Sequence, residues 1–357
     1  MTLRRQPLAQ RVAAALERTL NRCWWQPRAN GLARALSPLA ALYGLLARCH
    51  RVLARPQSVG LPVVVVGNLI VGGAGKTPSV IALVRLLRAM GWTPGVVSRG
   101  HGRQGSGVVE VRRASLASEC GDEPLLIHLR SAAPVFVGRD RVDAARALRA
   151  AHPEVDLILS DDGLQHHRLA RDVQIVVFDE RGTGNRKLLP AGPLRAPLPA
   201  SLPQGTLVLY NAAAPTTALP GWMATRRLTG LVELHDWWRG AAPDPAYWQM
   251  LAGRPLVAAA GIAAPLRFFD MLEAQGLAIV PLALPDHDDY EQLPWPIGTP
   301  DVVLTEKDAV KLRADRTLAG TRVWVAPLDL ELEVAFAAAL MSVLPPPPKP
   351  NLSAGLT

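Results

Sequence analysis

The stretch Val63-Val-Val-Val-Gly-Asn-Leu-Ile-Val-Gly-Gly-Ala-Gly-Lys-Thr-Pro78 decides the fold of this 357-residue chain. Its four consecutive valines are typical of a strand that is buried on both faces of a parallel sheet. A glycine-rich turn follows, and Lys76-Thr77 opens an apolar-periodic segment over residues 80–90. This order predicts a phosphate loop, because glycine N–H groups can turn inward around phosphate oxygens and the helix N-terminus favours negative charge.

The nucleotide-binding residues are expected in the loop itself, at Gly72, Gly73, Ala74, Gly75, Lys76 and Thr77. Lys76 is long enough to reach the β- and γ-phosphates, and the Thr77 hydroxyl is a candidate ligand for Mg²⁺. Phosphate loops usually carry glycine six residues before the lysine, where this chain has Ile70. An ordinary glycine-rich turn between a strand and a helix therefore stays the alternative.

The composition indicates a globular protein of a reducing compartment. Hydrophobic residues make up 49% of the sequence, enough for sizeable cores in one or two domains. The three cysteines, Cys23, Cys49 and Cys120, are odd in number and far apart, so they indicate neither a disulfide framework nor a zinc site. No secretory cleavage pattern stands out near the N-terminus.

The net charge of +9 is concentrated in residues 1–57, which hold ten arginines and one acidic residue, Glu17. The rest of the chain carries 29 basic and 29 acidic residues. This distribution disfavours a nucleic-acid enzyme, which would more often spread basic residues over its working face.

Residues 1–57 are interpreted as a basic, amphipathic, membrane-associated arm. Trp24-Trp25 precedes an uncharged run of thirteen residues, 35–47, flanked by Arg34 and Arg48. The run is too short to span a bilayer comfortably, whereas an apolar helix beside arginines and aromatic residues suits the surface of anionic lipid. A helix packed on the protein's own core and a short re-entrant or tilted span stay alternatives.

Acidic residues stand at two places where catalysis could use them. Asp161 and Asp162 follow a predicted strand over residues 155–160, as do the carboxylates that phosphate-loop enzymes place near Mg²⁺. A capped strand-end turn is the alternative, and it explains one aspartate better than two. Asp122-Glu123 stands before a proline, which is usually a solvated helix start, and a catalytic role is the second interpretation.

Three further features bear on which functions the sequence favours or disfavours. The loop over residues 181–203 is rich in glycine and proline but too apolar for a plain linker, which favours a functional loop. Asn211-Ala-Ala-Ala stands where a GTPase would carry Asn-Lys-x-Asp, so GTP is disfavoured. His166-His167 has no evident third metal ligand, which favours turn or core histidines.

The predicted organisation is a phosphate-loop core over residues 58–225 and a second, smaller α/β domain over residues 226–348. A final helix is predicted over residues 330–344, because four prolines stop the apolar pattern there. Residues 349–357 are expected to be a disordered tail.

Taken in order, several motifs resemble those of the tetraacyldisaccharide 4′-kinase family, the lipid A 4′-kinases of Gram-negative bacteria. The matching stretches cover nearly the whole chain from about residue 36, and they are residues 66–78, 98–102, 121–124, 160–166, 184–195, 260–263, 267–269, 286–287 and 305–311. The phosphate loop alone is not specific, but the joint occurrence of these motifs is.

The resemblance implies transfer of a phosphoryl group from ATP, with Mg²⁺, to the 4′-hydroxyl of an acylated glucosamine disaccharide 1-phosphate, giving lipid IVA. It also implies a monotopic or peripheral enzyme on the anionic cytoplasmic face of the inner membrane, with neither nucleic acid nor an obligate protein partner. By the resemblance, Asp122 is the general base and His287 its partner. Lys76 and Arg195 act on phosphates, while Thr77, Asp161 and Asp162 serve the metal.

Three positions depart from the family pattern. His101 replaces a tyrosine, Asp288 replaces a frequent second histidine, and Ala196 replaces the glutamate that follows Arg195. The first two need not touch the chemistry. The third removes a carboxylate beside a predicted phosphate-binding arginine, and leaves open whether another acid helps to hold Mg²⁺.

Two other classes of protein stay open on the residues alone. A nucleotide-switched metallochaperone ATPase also uses a Gly-Gly-x-Gly-Lys-Thr loop, but it would need a Cys- or His-rich metal relay. A membrane-bound adaptor with a degenerate nucleotide site would lack turnover. Consumption of ATP that depends on the lipid substrate distinguishes all three.

Overall fold

The structure is a computed structural model, and it describes residues 19–286, 288–313 and 315–347. In this part of the chain the strands form one sheet of nine and one of five. The arrangement confirms the predicted α/β class with a large, mainly parallel sheet and a second, smaller α/β unit. The strands are β1 (Val63–Gly67), β2 (Pro94–Ser98), β3 (Val109–Val111), β4 (Val135–Val137), β5 (Leu157–Asp161), β6 (Val173–Asp179), β7 (Thr206–Asn211), β8 (Trp222–Leu228), β9 (Val232–Glu233), β10 (Leu256–Ala260), β11 (Ile279–Ala283), β12 (Asp301–Thr305), β13 (Arg322–Ala326) and β14 (Leu328–Leu332).

The large sheet has the order β14-β8-β7-β6-β1-β5-β2-β4-β3, and the small sheet the order β11-β10-β12-β13-β9. Strands β8 to β4 of the large sheet pair in parallel, and the edge strands β14 and β3 are antiparallel to their neighbours. The first strand, β1, therefore lies in the middle between β5 and β6. In such a sheet, ligands bind outside the carboxyl ends of the strands near a change in strand order.

Helices pack on both faces of the large sheet. They bury both sides of β1, where Val64 and Val66 face one apolar cluster while Val63 and Val65 face the other. The helices of the described residues are α1 (Gly31–Ala35), α2 (Ser37–Leu53), α3 (Lys76–Ala89), α4 (Ala117–Cys120), α5 (Asp122–Ser131), α6 (Arg141–Ala151), α7 (Leu234–Arg239), α8 (Ala246–Leu251), α9 (Pro265–Glu273), α10 (Glu306–Ala309) and α11 (Val334–Val343), and residues 19–24 are also helical.

Helix α3 follows the phosphate loop and is anchored by residues at helical spacing. Val80, Leu83, Val84 and Leu87 are all buried and belong to the same apolar cluster as Val64. Their i, i+3, i+4, i+7 pattern puts them on one helix face, so the first turn of α3 is fixed against the end of β1. The predicted sequence of strand, loop and helix is therefore present.

The end of the chain differs from the predicted final helix over residues 330–344. Residues 328–332 form β14, which pairs with β8, and α11 begins only at Val334. The reason is visible in Leu-Asp-Leu-Glu-Leu, where apolar and acidic residues alternate with the period of a strand.

Because the end of the chain pairs with the large sheet, the division into two units differs from the predicted one. The predicted boundary between residues 225 and 226 falls inside β8, and β14 and α11 pack with the large sheet rather than with the small one. The apolar cluster below α3 also continues into β12 and β13 of the small sheet. Because the two sheets share buried side chains, their facing ends are held close together.

The described part of the predicted arm is mostly helical, and part of it contacts the body of the protein. Trp24 donates from Nε1 to the carbonyl of Pro190 at 2.8 Å, and its own carbonyl accepts from the N–H of Asn185 at 2.8 Å. The outer face of α2 exposes Leu42, Leu45 and other apolar residues. Within the described residues, no helix has the length and hydropathy that crossing a membrane requires.

Candidate active site

The phosphate loop joins β1 to α3, and two of its glycines have a left-handed backbone. Gly72 and Gly75 have φ values of 84° and 82°, a region that favours glycine. A Cβ atom at Gly75 would lie 1.8 Å from Nδ2 of Asn211. Asn211 ends β7 and donates from this atom to the carbonyl of Ala74 at 3.1 Å. The loop is therefore held in shape by the end of another strand, and only glycine fits at position 75.

Ile70 explains why the loop departs from the usual glycine pattern. Its side chain is fully buried in a small apolar cluster with Ala74 and Leu194. Ile70 also forms a β-bridge with Leu194, and the N–H of Val71 donates to the carbonyl of Pro193 at 2.9 Å. A glycine at position 70 would lose this anchor. The long loop over residues 181–203 is thus attached to the phosphate loop.

The charged side chains at the mouth of the loop form a row. Nζ of Lys76 lies 3.3 Å from Oδ1 of Asn68 and 3.7 Å from Oδ1 of Asp162, which lies 3.2 Å from Nη1 of Arg195. Burial alone would raise the pKa of Asp162, but Lys76, Arg195 and Arg141 together lower it. Asp162 therefore stays ionised and holds two cations beside the phosphate loop, where phosphate oxygens of a ligand would meet them.

Asp161 ends β5 in a different environment. It is paired in register with Val66 at the end of β1, and its Oδ2 accepts a hydrogen bond from Oγ of Ser98 at 2.9 Å. Among the described residues, its Oδ1 has no hydrogen-bond partner although it is buried. Burial, followed by the charges of Glu123 and Asp162, raises the pKa of Asp161 to about 7.

These residues fit a magnesium ion. Mg²⁺ takes oxygen ligands and usually needs only one or two carboxylates, since substrate phosphates and water complete its shell. Thr77 lies in the first turn of α3, and the unpartnered oxygen of Asp161 lies at the end of the strand beside β1. In the described ranges no three His, Cys, Asp or Glu residues form a metal cluster, so His166-His167 makes no such site there.

Asp122 is the first residue of α5, and its side chain is almost fully buried. Its Oδ1 accepts the N–H of Glu123 at 2.9 Å, and its Oδ2 lies 3.9 Å from Nζ of Lys307. Lys307 also lies 3.4 Å from Oδ1 of Asp286. The charge of the adjacent Glu123 helps to raise the pKa of Asp161. His287, the predicted partner of Asp122, lies outside the described residues.

Residues 32–345 match the family model described as tetraacyldisaccharide-1-P 4′-kinase. The chain belongs to this family. Proteins named tetraacyldisaccharide 4′-kinase are similar to it over almost their whole length, with 57% identity in Methylibium petroleiphilum and 51% in Leptothrix cholodnii. These matches cover 93% and 94% of this chain and 95% and 97% of the relatives. The predicted class of enzyme, a kinase of lipid A biosynthesis, is confirmed.

A solved structure of the same family supports the fold. The structure of LpxK from Aquifex aeolicus in complex with ATP has a TM-score of 0.70 to this chain at 25% sequence identity. The match covers 87% of this chain and 99% of that one. The kinase therefore shares the fold of this neighbour.

The structure also shows polar residues around the site that the sequence did not single out. Arg181 donates from Nη2 to the carbonyl of Gly73 at 2.9 Å and pairs with Asp179 at 2.7 Å. Lys307 follows β12 in the motif over residues 305–311, which carried the resemblance but received no role. Its position just after a strand of the second unit is typical of site residues. Its contact with Asp122, however, depends on how the two sheets pack together, which the sequence does not show.

Arg195, which precedes Ala196, has an acidic partner elsewhere in the structure. Arg195 takes Asp162 as its acidic partner, and its own N–H donates to the carbonyl of Leu69 at 2.7 Å. Ala196 itself is half-buried beside it. The acid next to Arg195 is therefore supplied by the end of β5 rather than by the following residue in the chain.

Proposed function

We propose that the kinase transfers the γ-phosphoryl group of ATP to the 4′-hydroxyl of an acylated glucosamine disaccharide 1-phosphate, giving lipid IVA. The observation that carries the proposal is the row formed by Lys76, Asp162 and Arg195 at the mouth of the phosphate loop, with distances of 3.7 Å and 3.2 Å. Asp122, which begins α5, is proposed to receive the acceptor hydroxyl.

Phosphoryl transfer depends mainly on positioning and on neutralising charge. In the proposed mechanism, Lys76 and the N–H groups of the loop hold the β- and γ-phosphates, and Arg195 binds the transferring group or the phosphate of the lipid. Thr77 and one or both of Asp161 and Asp162 would hold Mg²⁺, whose chemical contribution is to offset the charge of the phosphate oxygens.

Asp122 serves as the general base in this mechanism. Its carboxylate accepts the proton of the 4′-hydroxyl as the sugar oxygen forms its bond to phosphorus and the bond to the β-phosphate oxygen breaks. Such base catalysis typically contributes about 10²–10⁴-fold to a rate. His287 is proposed as the partner of Asp122 on the family resemblance, since its position lies outside the described residues.

We place the kinase on the anionic cytoplasmic face of the inner membrane, as a monotopic or peripheral enzyme. Support comes from α2, where Leu42, Leu45 and Leu46 are 52%, 58% and 60% exposed. Exposed leucines on a helix that also carries arginines suit the boundary between headgroups and acyl chains. The substrate is embedded in that membrane, so the arm would bring the site to it. We propose no nucleic-acid ligand and no obligate protein partner.

Transfer of ³²P from ATP to a purified acylated disaccharide 1-phosphate tests the function. The Lys76→Ala and Asp122→Asn variants should each lose at least about 10²-fold in turnover. Arg254→Ala and Asp143→Asn are the control variants, because both residues are exposed and neither belongs to the row of charges. Near-normal transfer by Lys76→Ala would remove the phosphate-loop assignment. ATP hydrolysis whose rate does not depend on the lipid substrate would favour the metallochaperone class. The absence of any ATP hydrolysis would favour the adaptor.

A further inference from the structure

Lys307 lies among three carboxylates at the junction of the two sheets. Its Nζ is 3.3 Å from Oε1 of Glu123, 3.4 Å from Oδ1 of Asp286 and 3.9 Å from Oδ2 of Asp122. Burial alone would lower the pKa of Lys307, but Glu123, Asp122 and Asp286 raise it above its usual value. The side chain is therefore a stable cation in a setting where the acids would otherwise repel one another.

The position of Lys307 in the fold connects the small sheet to the helix that begins with Asp122. Lys307 is the second residue of α10, which follows β12, whereas Asp122 starts α5 on the large sheet. Its neighbour Glu306 binds Arg130 near the other end of α5 and accepts a hydrogen bond from Nε1 of Trp237 at 3.1 Å. Helix α10 is thus attached to α5 at two points, one of them at the proposed base.

The ion pair of Lys311, four residues further along the chain, differs from the contacts of Lys307. Lys311 pairs with Asp308 at 3.4 Å, and both side chains are deeply buried inside the small-sheet unit. The three partners of Lys307 come instead from two different places, the start of α5 and the loop after β11. Asp286 keeps 39% of its side chain exposed. Lys307, whose side chain is 19% exposed, therefore lies at the junction of the two sheets rather than inside the small-sheet unit.

We propose that Lys307 is a positioning residue for the phosphoryl transfer, holding the carboxylate of Asp122 toward the acceptor hydroxyl across the junction of the two sheets. The inference rests on the proposed role of Asp122 as the base. The ammonium group offsets the repulsion from Glu123 and Asp286, and it ties the loop that contains Asp286 to α5. A base displaced by about 1 Å loses on the order of 10²-fold in rate.

A double-mutant cycle on the full chain tests the proposal, with ATP and the acylated disaccharide 1-phosphate as substrates. Lys307→Met should lower kcat about 10²-fold and leave KM for ATP within about threefold, because the phosphate loop is untouched. Lys307→Arg, which keeps the charge, should restore at least about tenfold of that loss. Arg313→Met is the control, since Arg313 pairs with Asp315 in the same segment but is well exposed.

The cycle with Asp122→Asn decides how Lys307 acts. If Lys307 works through Asp122, the double variant should be no slower than Asp122→Asn alone. Losses that multiply fully, a kcat of Lys307→Met near that of the wild type, or an ATP KM that rises with the loss would each overturn the proposal. Should Lys307→Met fail to fold by circular dichroism, Lys307→Gln takes its place with the same expectations. A normal rate for Asp122→Asn would instead contradict the proposed base.

Discussion

The hydroxyl of Tyr43 in α2 donates a hydrogen bond to the carbonyl oxygen of Arg195 at 3.0 Å. Arg195 in turn pairs with Asp162, which lies 3.7 Å from Lys76. The helix proposed to lie on the membrane is therefore connected to the charges at the phosphate loop by two consecutive contacts. We therefore expect the arm to help shape the site in addition to its proposed binding to lipid.

Trp25 of the arm also contacts a residue that binds the phosphate loop. The guanidinium group of Arg181 lies 4.5 Å from the ring centre of Trp25, a cation–π distance. Arg181 also donates to the carbonyl of Gly73 in the phosphate loop. The arm is thus connected to the site at two places, through Arg195 and through the contact of Arg181 with Gly73.

Removing the Tyr43 hydroxyl should slow the kinase without releasing it from membranes. A hydrogen bond of this type contributes about 1 kcal/mol, so Tyr43→Phe is expected to lower kcat a few-fold, up to about fivefold. Turnover and vesicle sedimentation are measured on the same preparation. Tyr247→Phe, in the small-sheet unit, is the control. An unchanged kcat would show that Arg195 needs no support from α2.

The exposed leucines of α2 should determine binding to anionic vesicles. Replacing Leu42, Leu45 and Leu46 by serine removes apolar surface that lipid would otherwise bury, so partitioning is expected to fall at least about tenfold. Leu266, which is 71% exposed on α9, supplies the matched control as Leu266→Ser. Raising the salt concentration should weaken binding further, because the arginines act through screened charge. Equal sedimentation of the triple variant would exclude α2 as the main anchor.

The parts of the fold that the sequence predicted well depend on local patterns. The strand before the phosphate loop and the helix after it follow from four valines and from apolar residues at helical spacing, and both are present. Asp161 and Asp162 are singled out because two adjacent carboxylates follow a predicted buried strand, and the structure places them at the end of β5. In each case neighbouring residues carry the whole signal.

The contacts that could not be predicted join residues distant in the sequence. Asn211 was considered only as a missing guanine motif, yet it braces Ala74, 137 residues away. Residues 330–332 belong to the predicted final helix, whereas in the structure they end β14, which pairs with β8. Lys307 meets Asp122 because two sheets share one core, a relationship that no local spacing contains.

The alanine after Arg195 offers a test of how the metal is held. If Asp161 or Asp162 already supplies enough carboxylate, Ala196→Glu should change the Mg²⁺ concentration for half-maximal rate by less than about twofold. The measurement is initial rate against Mg²⁺ at saturating ATP. Ala200→Glu, an exposed position in the same loop, controls for added charge. A large drop in the Mg²⁺ requirement would show that a third acid belongs to the site.

The raised pKa of Asp161 predicts how stability changes with pH in the absence of divalent cations. Its folded pKa of about 7 lies above the ordinary value of 3.8. Between these values the native state binds a proton that the unfolded state has released, so this group makes the free energy of unfolding fall as pH rises. Asp161→Asn removes the titration. Relative to the wild type, the variant should therefore gain about 2 kcal/mol between pH 5 and pH 7.

Denaturant unfolding at several pH values measures this gain, and Asp143→Asn, an exposed aspartate of α6, should show none. Saturating Mg²⁺ adds an independent measurement, because a cation binds the ionised carboxylate and stabilises only the state that holds it. The rise in Tm on adding Mg²⁺ should be larger at pH 8 than at pH 5 for the wild type and much smaller for Asp161→Asn. If the variant kept the full Mg²⁺ effect, Asp162 rather than Asp161 would be the carboxylate that holds the metal.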